Sequence, residues 1–314
     1  MKLNQSSRQI SLPSKHRVLV IGASGFLGSN VLLSIGDKHN CIAHSSSRRI
    51  DVHGLHSIQS DLRQVMAPLE LIKRVRPGLV INCAALTNLE LCEQNPVLAE
   101  RLNTQVPVEL AEGCKLVDAK FVHVSSDAVH CGDEETLETQ TELIPCSVYG
   151  ATKARAEMQI QRILPSALIV RTNIIGWSPT KERSLLEFFL NSLEKNRSVR
   201  GFHDVYFRPI SASNFWSLIS AWIATDTSGV VHAFGSELIS KYEFGRRVAA
   251  KFAFDPGLIR PISIDDVENH VARGKIMNMR PSTVQEPSLL DLDLALNTLF
   301  AQHTNGYRKA ISEI

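Results

Sequence analysis

The chain has 314 residues with 44% hydrophobic and 21% charged residues, a composition that excludes a disordered or fibrous protein. Its length suits one large α/β domain or two smaller ones. The formal net charge is +2, from 34 Lys plus Arg against 32 Asp plus Glu. A nucleic-acid-binding protein is expected to have a large basic excess, so this class is disfavoured.

Residues 1–16 are polar and lack an apolar stretch long enough for a secretory signal, so we expect a mobile extension on a cytoplasmic protein. The longest apolar runs, such as 18–21 and 167–170, are strand-sized, well short of the roughly 20 residues of a membrane helix. The six cysteines form no CxxC pair and lie at no zinc-ligand spacing with histidine. We therefore expect a soluble chain with free thiols and no metal site.

Short β-branched runs alternate with helical patterns in the first half of the chain. Strands are predicted in RVLVIG, NCIAHSS, LVINCAA and KFVHVSSD, and helices at 26–34, 65–75 and 98–112. This alternation predicts parallel βαβ units, and the nearly all-apolar strands indicate helices on both faces. The predicted fold class is α/β, a doubly wound parallel sheet of the Rossmann type, with a crevice beyond the C-terminal ends of its strands.

The pattern is looser after Arg171. It predicts a loop at WSPTKERS, a helix at 185–194 and an amphipathic helix within SASNFWSLISAWIA, while TNGYRKAISEI is predicted to be a surface tail. We divide the chain into the extension 1–16, a Rossmann domain 17–176 and a region 177–314. That last region is predicted to be mainly a smaller, discontinuous substrate-binding lobe, with some segments returning to the main sheet.

The segment GASGFLG joins the first strand to the first helix and spaces Gly22, Gly25 and Gly28 three residues apart. Gly22 permits a tight turn, Gly25 lets backbone N–H groups approach a pyrophosphate, and Gly28 lets helix and strand pack closely. The helix N-terminus adds its positive dipole end. The motif therefore predicts a dinucleotide-binding turn, whose contacts also include Ser24, Phe26 and Leu27.

The end of the second strand predicts which dinucleotide binds. An acidic residue there would bind the ribose hydroxyls of NAD, but the sequence is HSSSRR. Ser46, Arg48 and Arg49 suit a 2′-phosphate, the arginines through bidentate charge-assisted contacts. NADP(H) is therefore favoured over NAD(H), with no choice made between the two arginines.

Tyr149 and Lys153 are four residues apart in a predicted helix, so their side chains share one face. A lysine ammonium beside the phenol is expected to lower the tyrosine pKa from about 10 and make it a usable proton donor. Ser126, at the end of the strand FVHVSS, is placed to hydrogen-bond the same substrate oxygen. The YxxxK spacing alone is common in surface helices, and the glycine-rich turn and the serine favour catalysis.

Taken together, these motifs resemble the extended short-chain dehydrogenase/reductases. The resemblance covers residues 17–176 and rests on GASGFLG, Asp61 in SDL, NCAA, Asn103 in RLNT, VSSD, YGATK and RTN, in the family's order. Within the family, AALTNLELCEQNP, SSDAV and VYGATKARAE are most similar to the dTDP-4-dehydrorhamnose reductase group. The regulatory β subunit of methionine adenosyltransferase shares that group.

The resemblance implies an NADPH-dependent reductase of a keto-deoxy nucleotide sugar. Ser126 would polarise the carbonyl, Tyr149 would protonate its oxygen, and Lys153 would bind the nicotinamide ribose. Asn103 would order the active-site helix and a proton relay. Further cofactor contacts are implied at Asp61, Leu62, Cys83, Ala84 and Ala85, and substrate contacts at Thr87, Asp127 and Arg280.

Several segments depart from the group's pattern and leave the sugar and the base open. Ala128 and His130 replace the aromatic residues of DYVF, FHDVYFRPIS stands where DQxGxPT is usual, and RPxxSxL is only partly present at Arg280. A 4,6-dehydratase would need Glu after Asp127, where this chain has Ala128. An epimerase and an NADP-binding regulatory subunit without turnover remain the alternatives, and the resemblance is compatible with a homodimer.

Overall fold

The computed structural model of the chain describes residues 17–35, 41–46, 49–52, 54–132, 136–268 and 270–314. The expected extension 1–16 and Arg48 lie outside these described residues. Across the described ranges, every helix is too short or too polar to cross a membrane.

Strands and helices alternate along the chain. In the first part they are β1 (Val18–Ile21), α1 (Phe26–Ile35), β2 (Cys41–Ser45), β3 (His56–Gln59), α2 (Ala67–Val75), β4 (Leu79–Asn82), α3 (Leu89–Gln94), α4 (Pro96–Glu100), α5 (Val106–Val117), β5 (Lys120–Val124), α6 (Val148–Ile163) and β6 (Leu168–Thr172). The remaining ones are β7 (Ile174–Ile175), α7 (Leu185–Leu193), β8 (Val199–Phe202), β9 (Tyr206–Phe207), β10 (Ile210–Ser211), α8 (Ala212–Ala224), β11 (Gly229–Ala233), β12 (Ile239–Ser240), α9 (Lys241–Lys251), β13 (Ile259–Ile262), α10 (Leu292–Thr304) and α11 (Tyr307–Ser312).

Seven of the strands form one parallel sheet in the order β11-β6-β5-β4-β1-β2-β3. Val18 of β1 lies opposite Cys41 of β2 on one side and Leu79 of β4 on the other. The strand order reverses direction at β1 and β4, and a ligand crevice forms beyond the C-terminal ends at such a switch point. The predicted doubly wound α/β fold is confirmed.

Apolar layers cover both faces of this sheet. In β1, Val18 and Val20 pack into the layer that contains residues of α1 and α8, while Leu19 and Ile21 pack into the layer formed with α2, α5 and α6. This division follows from the alternation of side chains along a strand. A third apolar cluster, centred on Trp177, holds the short strands and helices of the C-terminal part together.

The structure differs from the sequence predictions in three segments. Strand β3 was not predicted, because it is a half-exposed edge strand without a continuous apolar run. The helix predicted at 98–112 is divided between α4, a π-helical segment Arg101–Gln105 and α5. The predicted surface tail is wrong, since α11 forms there and Ile311 and Ile314 are buried in apolar clusters.

Candidate active site

The glycine-rich turn between β1 and α1 is shaped by close backbone approaches. Gly22 has a φ of +73°, and a Cβ there would lie 2.8 Å from the Cα of Ala84. A Cβ at Gly28 would lie 2.2 Å from the carbonyl oxygen of Gly22. By contrast, a Cβ at Gly25 would meet only that same oxygen, at 3.2 Å, within 4 Å. Gly22 and Gly28 therefore allow the strand, the helix and the loop after β4 to pack closely, and Gly25 leaves an open cradle before the N-terminus of α1.

The loop that follows β4 lies against this turn. The Cys83 N–H donates to the carbonyl oxygen of Ile21 at 3.0 Å, and the Ala84 N–H donates to the Asn82 Oδ1 at 3.1 Å. These bonds bring Cys83, Ala84 and Ala85 to the same end of the sheet as the glycine cradle. The predicted cofactor segments from β1 and β4 therefore border one crevice.

Asn103 joins this loop to helix α6. Its Oδ1 accepts from the Leu86 N–H at 2.7 Å, and its Nδ2 lies 3.0 Å from the Leu86 carbonyl oxygen and 3.2 Å from the Thr152 Oγ1. Asn103 belongs to the π-helical segment Arg101–Gln105, and such segments often mark functional sites. Asn103 therefore links this loop to α6, while its ordering role and a proton relay through it stay predictions.

The residues predicted to bind the adenosine end of a cofactor surround β2. Ser46 and Arg49 are exposed just beyond the strand. The Asp61 carboxylate is paired with the Arg63 guanidinium at 2.8 Å, and hydrogen bonds from Arg63 lower the pKa of Asp61. Leu62 is buried. Their contacts with a cofactor stay predictions.

The N-terminus of α6 places Tyr149 beside Ser126. The Ser147 Oγ caps the helix by accepting from the Gly150 N–H at 3.1 Å. A Cβ at Gly150 would lie 2.0 Å from the carbonyl oxygen of Ala128, so only glycine permits this approach. The approach places Tyr149 close enough to Ser126 for the serine side chain to lower the pKa of the phenol, so two of the predicted catalytic residues are neighbours.

The predicted effect of Lys153 on Tyr149 is wrong. Burial raises the pKa of Tyr149 to about 12, while the neighbouring Ser126 side chain acts in the opposite direction. Among the charges that act on the phenol, those of Asp127 and Cys92 also raise its pKa. Lys153 binds elsewhere, because its Nζ donates to the Val124 carbonyl oxygen at 2.7 Å and lies 3.1 Å from the His123 Nε2.

Lys153 lies in the interior, where only 1% of the residue is exposed. Burial lowers its pKa to about 8, and the same effect lowers the pKa of His123 well below its usual value. The His123 Nδ1 in turn lies 3.1 Å from the Asn82 Nδ2. The sequence analysis did not identify His123, although its position two residues before Ser125 on β5 was a usable signal.

Asp127 contacts polar groups from its neighbour Ser126 and from later segments of the chain. Its Oδ1 accepts from the Ser126 hydroxyl at 2.9 Å and its Oδ2 accepts from the Asn173 Nδ2 at 2.6 Å. Burial raises the pKa of Asp127, and the two hydrogen bonds and the charge of Lys241 oppose that increase. Burial lowers the pKa of Lys241 to about 8. Neither Asn173 nor Lys241 was identified from the sequence as a site residue.

The other two predicted substrate residues are on separate segments of the chain. Thr87 is exposed on the loop before α3. Arg280 pairs with Glu138 at 2.6 Å and lines a cavity of about 490 Å³ together with Arg208 and Ser236. Burial and the charge of Arg280 lower the pKa of Arg208. Ser126, Tyr149 and Lys153 do not line that cavity.

A second buried network anchors α6 to β6. The Arg171 guanidinium binds the Glu157 carboxylate at 2.8 Å, with both side chains at most 3% exposed. Its Nη1 also lies 3.3 Å from the His232 Nε2 and 3.5 Å from the His130 Nε2. His130 therefore belongs to this buried network.

Comparisons with known proteins identify similar chains. The family model described as RmlD substrate binding domain matches residues 16–297. A probable low-salt glycan biosynthesis reductase of Haloferax volcanii is 27% identical over 299 residues, which cover 91% of this chain and 99% of the relative. A dTDP-4-dehydrorhamnose reductase of Mycobacterium tuberculosis is 28% identical over 257 residues, 79% of each chain. The crystal structure of dTDP-4-dehydrorhamnose reductase from Bacillus anthracis in complex with NADP has a TM-score of 0.80 at 21% identity, and covers 92% of this chain and 99% of that one.

Proposed function

The chain belongs to the RmlD substrate binding domain family, in agreement with the resemblance found in its motifs, and on this premise we propose that it is a sugar nucleotide reductase. The proposed reaction is the NADPH-dependent reduction of a keto-deoxy nucleotide sugar. Two relatives over most of the chain are named as reductases, one of them a dTDP-4-dehydrorhamnose reductase. The homodimer and the cytoplasmic location expected from the sequence stay predictions.

The placement of Tyr149 beside Ser126 carries this proposal. The close approach of Gly150 to Ala128 brings the two residues together near the C-terminal end of β5, close to where ligands bind in a doubly wound sheet. A binding protein without turnover has no physical need for a phenol paired with a second hydroxyl. The pair suits a carbonyl oxygen that accepts one hydrogen bond and then a proton.

The crevice fits a nicotinamide dinucleotide. Gly25 leaves an open cradle next to the N-terminus of α1, and a side chain there would fill it. The nicotinamide supplies a hydride to the carbonyl carbon when it is bound. Within the crevice, Cys83, Ala84 and Ala85 are the residues proposed to lie along the cofactor, and Lys153 is proposed to hold its ribose.

In this proposal Ser126 and Tyr149 bind and protonate the carbonyl oxygen of the substrate. The Ser126 hydroxyl turns its single hydrogen from the Asp127 carboxylate to the substrate carbonyl and polarises it. Tyr149 breaks its O–H bond to protonate the carbonyl oxygen as a hydride adds to carbon. A phenol whose pKa is raised to about 12 is protonated at neutral pH, as this donor role requires. The resulting phenolate is returned to phenol by a solvent proton before the next turnover.

The preference for NADP(H) over NAD(H) is proposed from the residues after β2. Ser46 and Arg49 are exposed there, and a guanidinium matches the geometry of a phosphate. Thr87, Asp127 and Arg280 are proposed as substrate contacts. Of these, the Asp127 carboxylate accepts a hydrogen bond from the Ser126 hydroxyl, whereas the Arg280 guanidinium lies on the wall of a separate cavity.

The test is NADPH oxidation, followed by absorbance, with 4-keto-6-deoxy sugars that carry dTDP, GDP, UDP or CDP. We expect turnover of one of them and a loss of about 10²–10⁴-fold in Tyr149→Phe, the usual contribution of general acid catalysis. Tyr242→Phe is the matched control, because the Tyr242 ring packs against Arg246 on α9 and its hydroxyl has no proposed role. Tight NADPH binding without turnover of any sugar would instead favour a cofactor-binding regulatory protein.

A further inference from the structure

A chain of three buried polar side chains lies beneath the candidate active site. Asn82 and His123 are completely buried, and Lys153 is 1% exposed. The His123 ring lies between the other two, with Nδ1 3.1 Å from the Asn82 Nδ2 and Nε2 3.1 Å from the Lys153 Nζ. Because these three side chains are shielded from water, each hydrogen bond between them needs one donor and one acceptor.

The backbone determines the direction of the hydrogen bonds at one end. The Ala84 N–H can only donate, and it lies 3.1 Å from the Asn82 Oδ1. The side-chain oxygen of Asn82 is therefore committed to this bond, which directs its amide nitrogen at the His123 Nδ1. An amide nitrogen has hydrogens to donate and no lone pair to accept with. The His123 Nδ1 must therefore be an acceptor, and the ring hydrogen of neutral His123 lies on Nε2.

The Nε2–H of His123 then determines the protonation state of Lys153, at the other end of these hydrogen-bonded side chains. An ammonium has three donors and no acceptor, so it would face the Nε2–H with a second donor. A neutral amine has one lone pair that accepts this hydrogen, and it still donates to the Val124 carbonyl oxygen at 2.7 Å. We propose that Lys153 rests as a neutral amine in the cofactor-free protein, held in that state by the Nε2–H tautomer of His123, and that His123 is a positioning residue for Lys153.

The electrostatic surroundings agree with this assignment above about pH 8, where an amine with so low a pKa is mostly neutral. Burial is the largest effect on both groups, and it lowers the pKa of Lys153 to about 8 and that of His123 well below its usual range. The ionisable groups that face Lys153 are Glu157 from its own helix, Cys83 from the loop after β4 and His123 from β5. Glu157 is already paired with Arg171, and burial raises the pKa of Cys83 to about 12.

This arrangement has a consequence for the site. Lys153 can take up a proton from solvent only if the bond with the His123 Nε2–H is broken, so its positive charge is not a fixed feature of the resting protein. The phenol of Tyr149 is then left without a neighbouring ammonium, consistent with its raised pKa. The importance of Lys153 rests on the proposed function, but its protonation state and the tautomer of His123 do not.

The first test is the tautomer of His123 in the full-length, cofactor-free protein. Nitrogen-15 NMR distinguishes a protonated ring nitrogen from an unprotonated one, and His123→Gln assigns the signals by their loss. We expect a neutral ring with hydrogen on Nε2 at pH 8.5. Hydrogen on Nδ1, or an imidazolium, would overturn the inference. This result needs neither NADPH nor a sugar, so it is independent of whether the protein is a reductase.

The second test reverses the hydrogen-bond direction with one isosteric substitution. In Asn82→Asp, a carboxylate can accept from both the Ala84 N–H and the His123 Nδ1–H, which moves the ring hydrogen away from Nε2 and lets an ammonium donate there. We expect the Nδ1–H tautomer and an increase of about one unit or more in the titration midpoint of Lys153, measured by NMR of carbon-13-labelled lysine.

Asn297→Asp is the control for the added charge, because Asn297 is exposed on α10. It should leave both signals unchanged. An unchanged tautomer and Lys153 midpoint in folded Asn82→Asp would overturn the inference. If Asn82→Asp does not fold, the tautomer of the wild-type ring decides alone.

Discussion

The Gly150→Ala substitution tests whether close packing of α6 places the candidate proton donor. A Cβ at residue 150 would lie 2.0 Å from the carbonyl oxygen of Ala128, whereas Cβ contacts below 3.0 Å are essentially never observed. The helix and the turn at 127–129 must therefore separate by at least about 1 Å, the difference between these distances. Tyr149 and Ser126 lie on opposite sides of this contact, and a displacement of about 1 Å in an active site can lower the rate about 10²-fold.

The same substitution should lower the free energy of unfolding by about 1–3 kcal/mol through overpacking, less the helix propensity that alanine gains over glycine. The measurements are urea unfolding and kcat for the sugar that is turned over. Gly113→Ala is a matched control within helix α5, where the Cβ would lie 2.8 Å from the Ile72 Cβ of α2. It should lower stability without lowering kcat. A folded Gly150→Ala variant with the wild-type kcat would refute the argument that this contact positions Tyr149.

Three further changes test other parts of the structure. Lys153→Met removes an amine whose pKa falls from 10.5 to about 8 on folding. Because the unfolded chain binds more protons than the folded chain between these two values, the free energy of unfolding of the wild type, relative to the variant, should rise by up to about 3 kcal/mol from pH 8 to 10.5. Urea unfolding measures this difference, and a difference that falls with pH would contradict the argument. Glu157→Ala leaves the buried Arg171 without its carboxylate and should lower the free energy of unfolding by about 3–5 kcal/mol in the same assay, so a loss below about 1 kcal/mol would contradict this. Replacing Arg48 and Arg49 together by Ala should weaken NADPH binding, followed by fluorescence titration, far more than NADH binding; equal losses would contradict a 2′-phosphate contact.

The main sheet and the glycine-rich turn could be predicted because their requirements are local. Strands that are buried on both faces must be apolar at nearly every position, as 18–21 and 79–82 are. Gly22 and Gly28 are needed wherever a strand and a helix pack this closely. The segments that follow β1, β4 and β5 could likewise be expected at one crevice, because the C-terminal ends of parallel strands share one edge.

Elements without such local requirements were not predicted, or were predicted incorrectly. Strand β3 is half-exposed at the edge of the sheet, so its residues HSIQ do not show a buried pattern. The C-terminal segment is largely polar, yet it forms α11 because Ile311 and Ile314 find apolar clusters and the Tyr307 hydroxyl donates to the Asn30 Oδ1 at 3.0 Å. Asn30 is 277 residues away in the chain, and no pattern within the segment could predict this contact.

The sequence by itself determined the α/β class, the position of the glycine cradle and the residue types of the candidate site, since each depends on short-range spacing and side-chain chemistry. Only the tertiary structure decided the direction in which the pKa values of those residues shift. Burial raises the pKa of Tyr149 and lowers that of Lys153, and Lys153 contacts His123 instead of the phenol. Desolvation and hydrogen-bond direction depend on which distant segments pack together, and that packing reverses the electrostatic expectation drawn from the four-residue spacing of Tyr149 and Lys153.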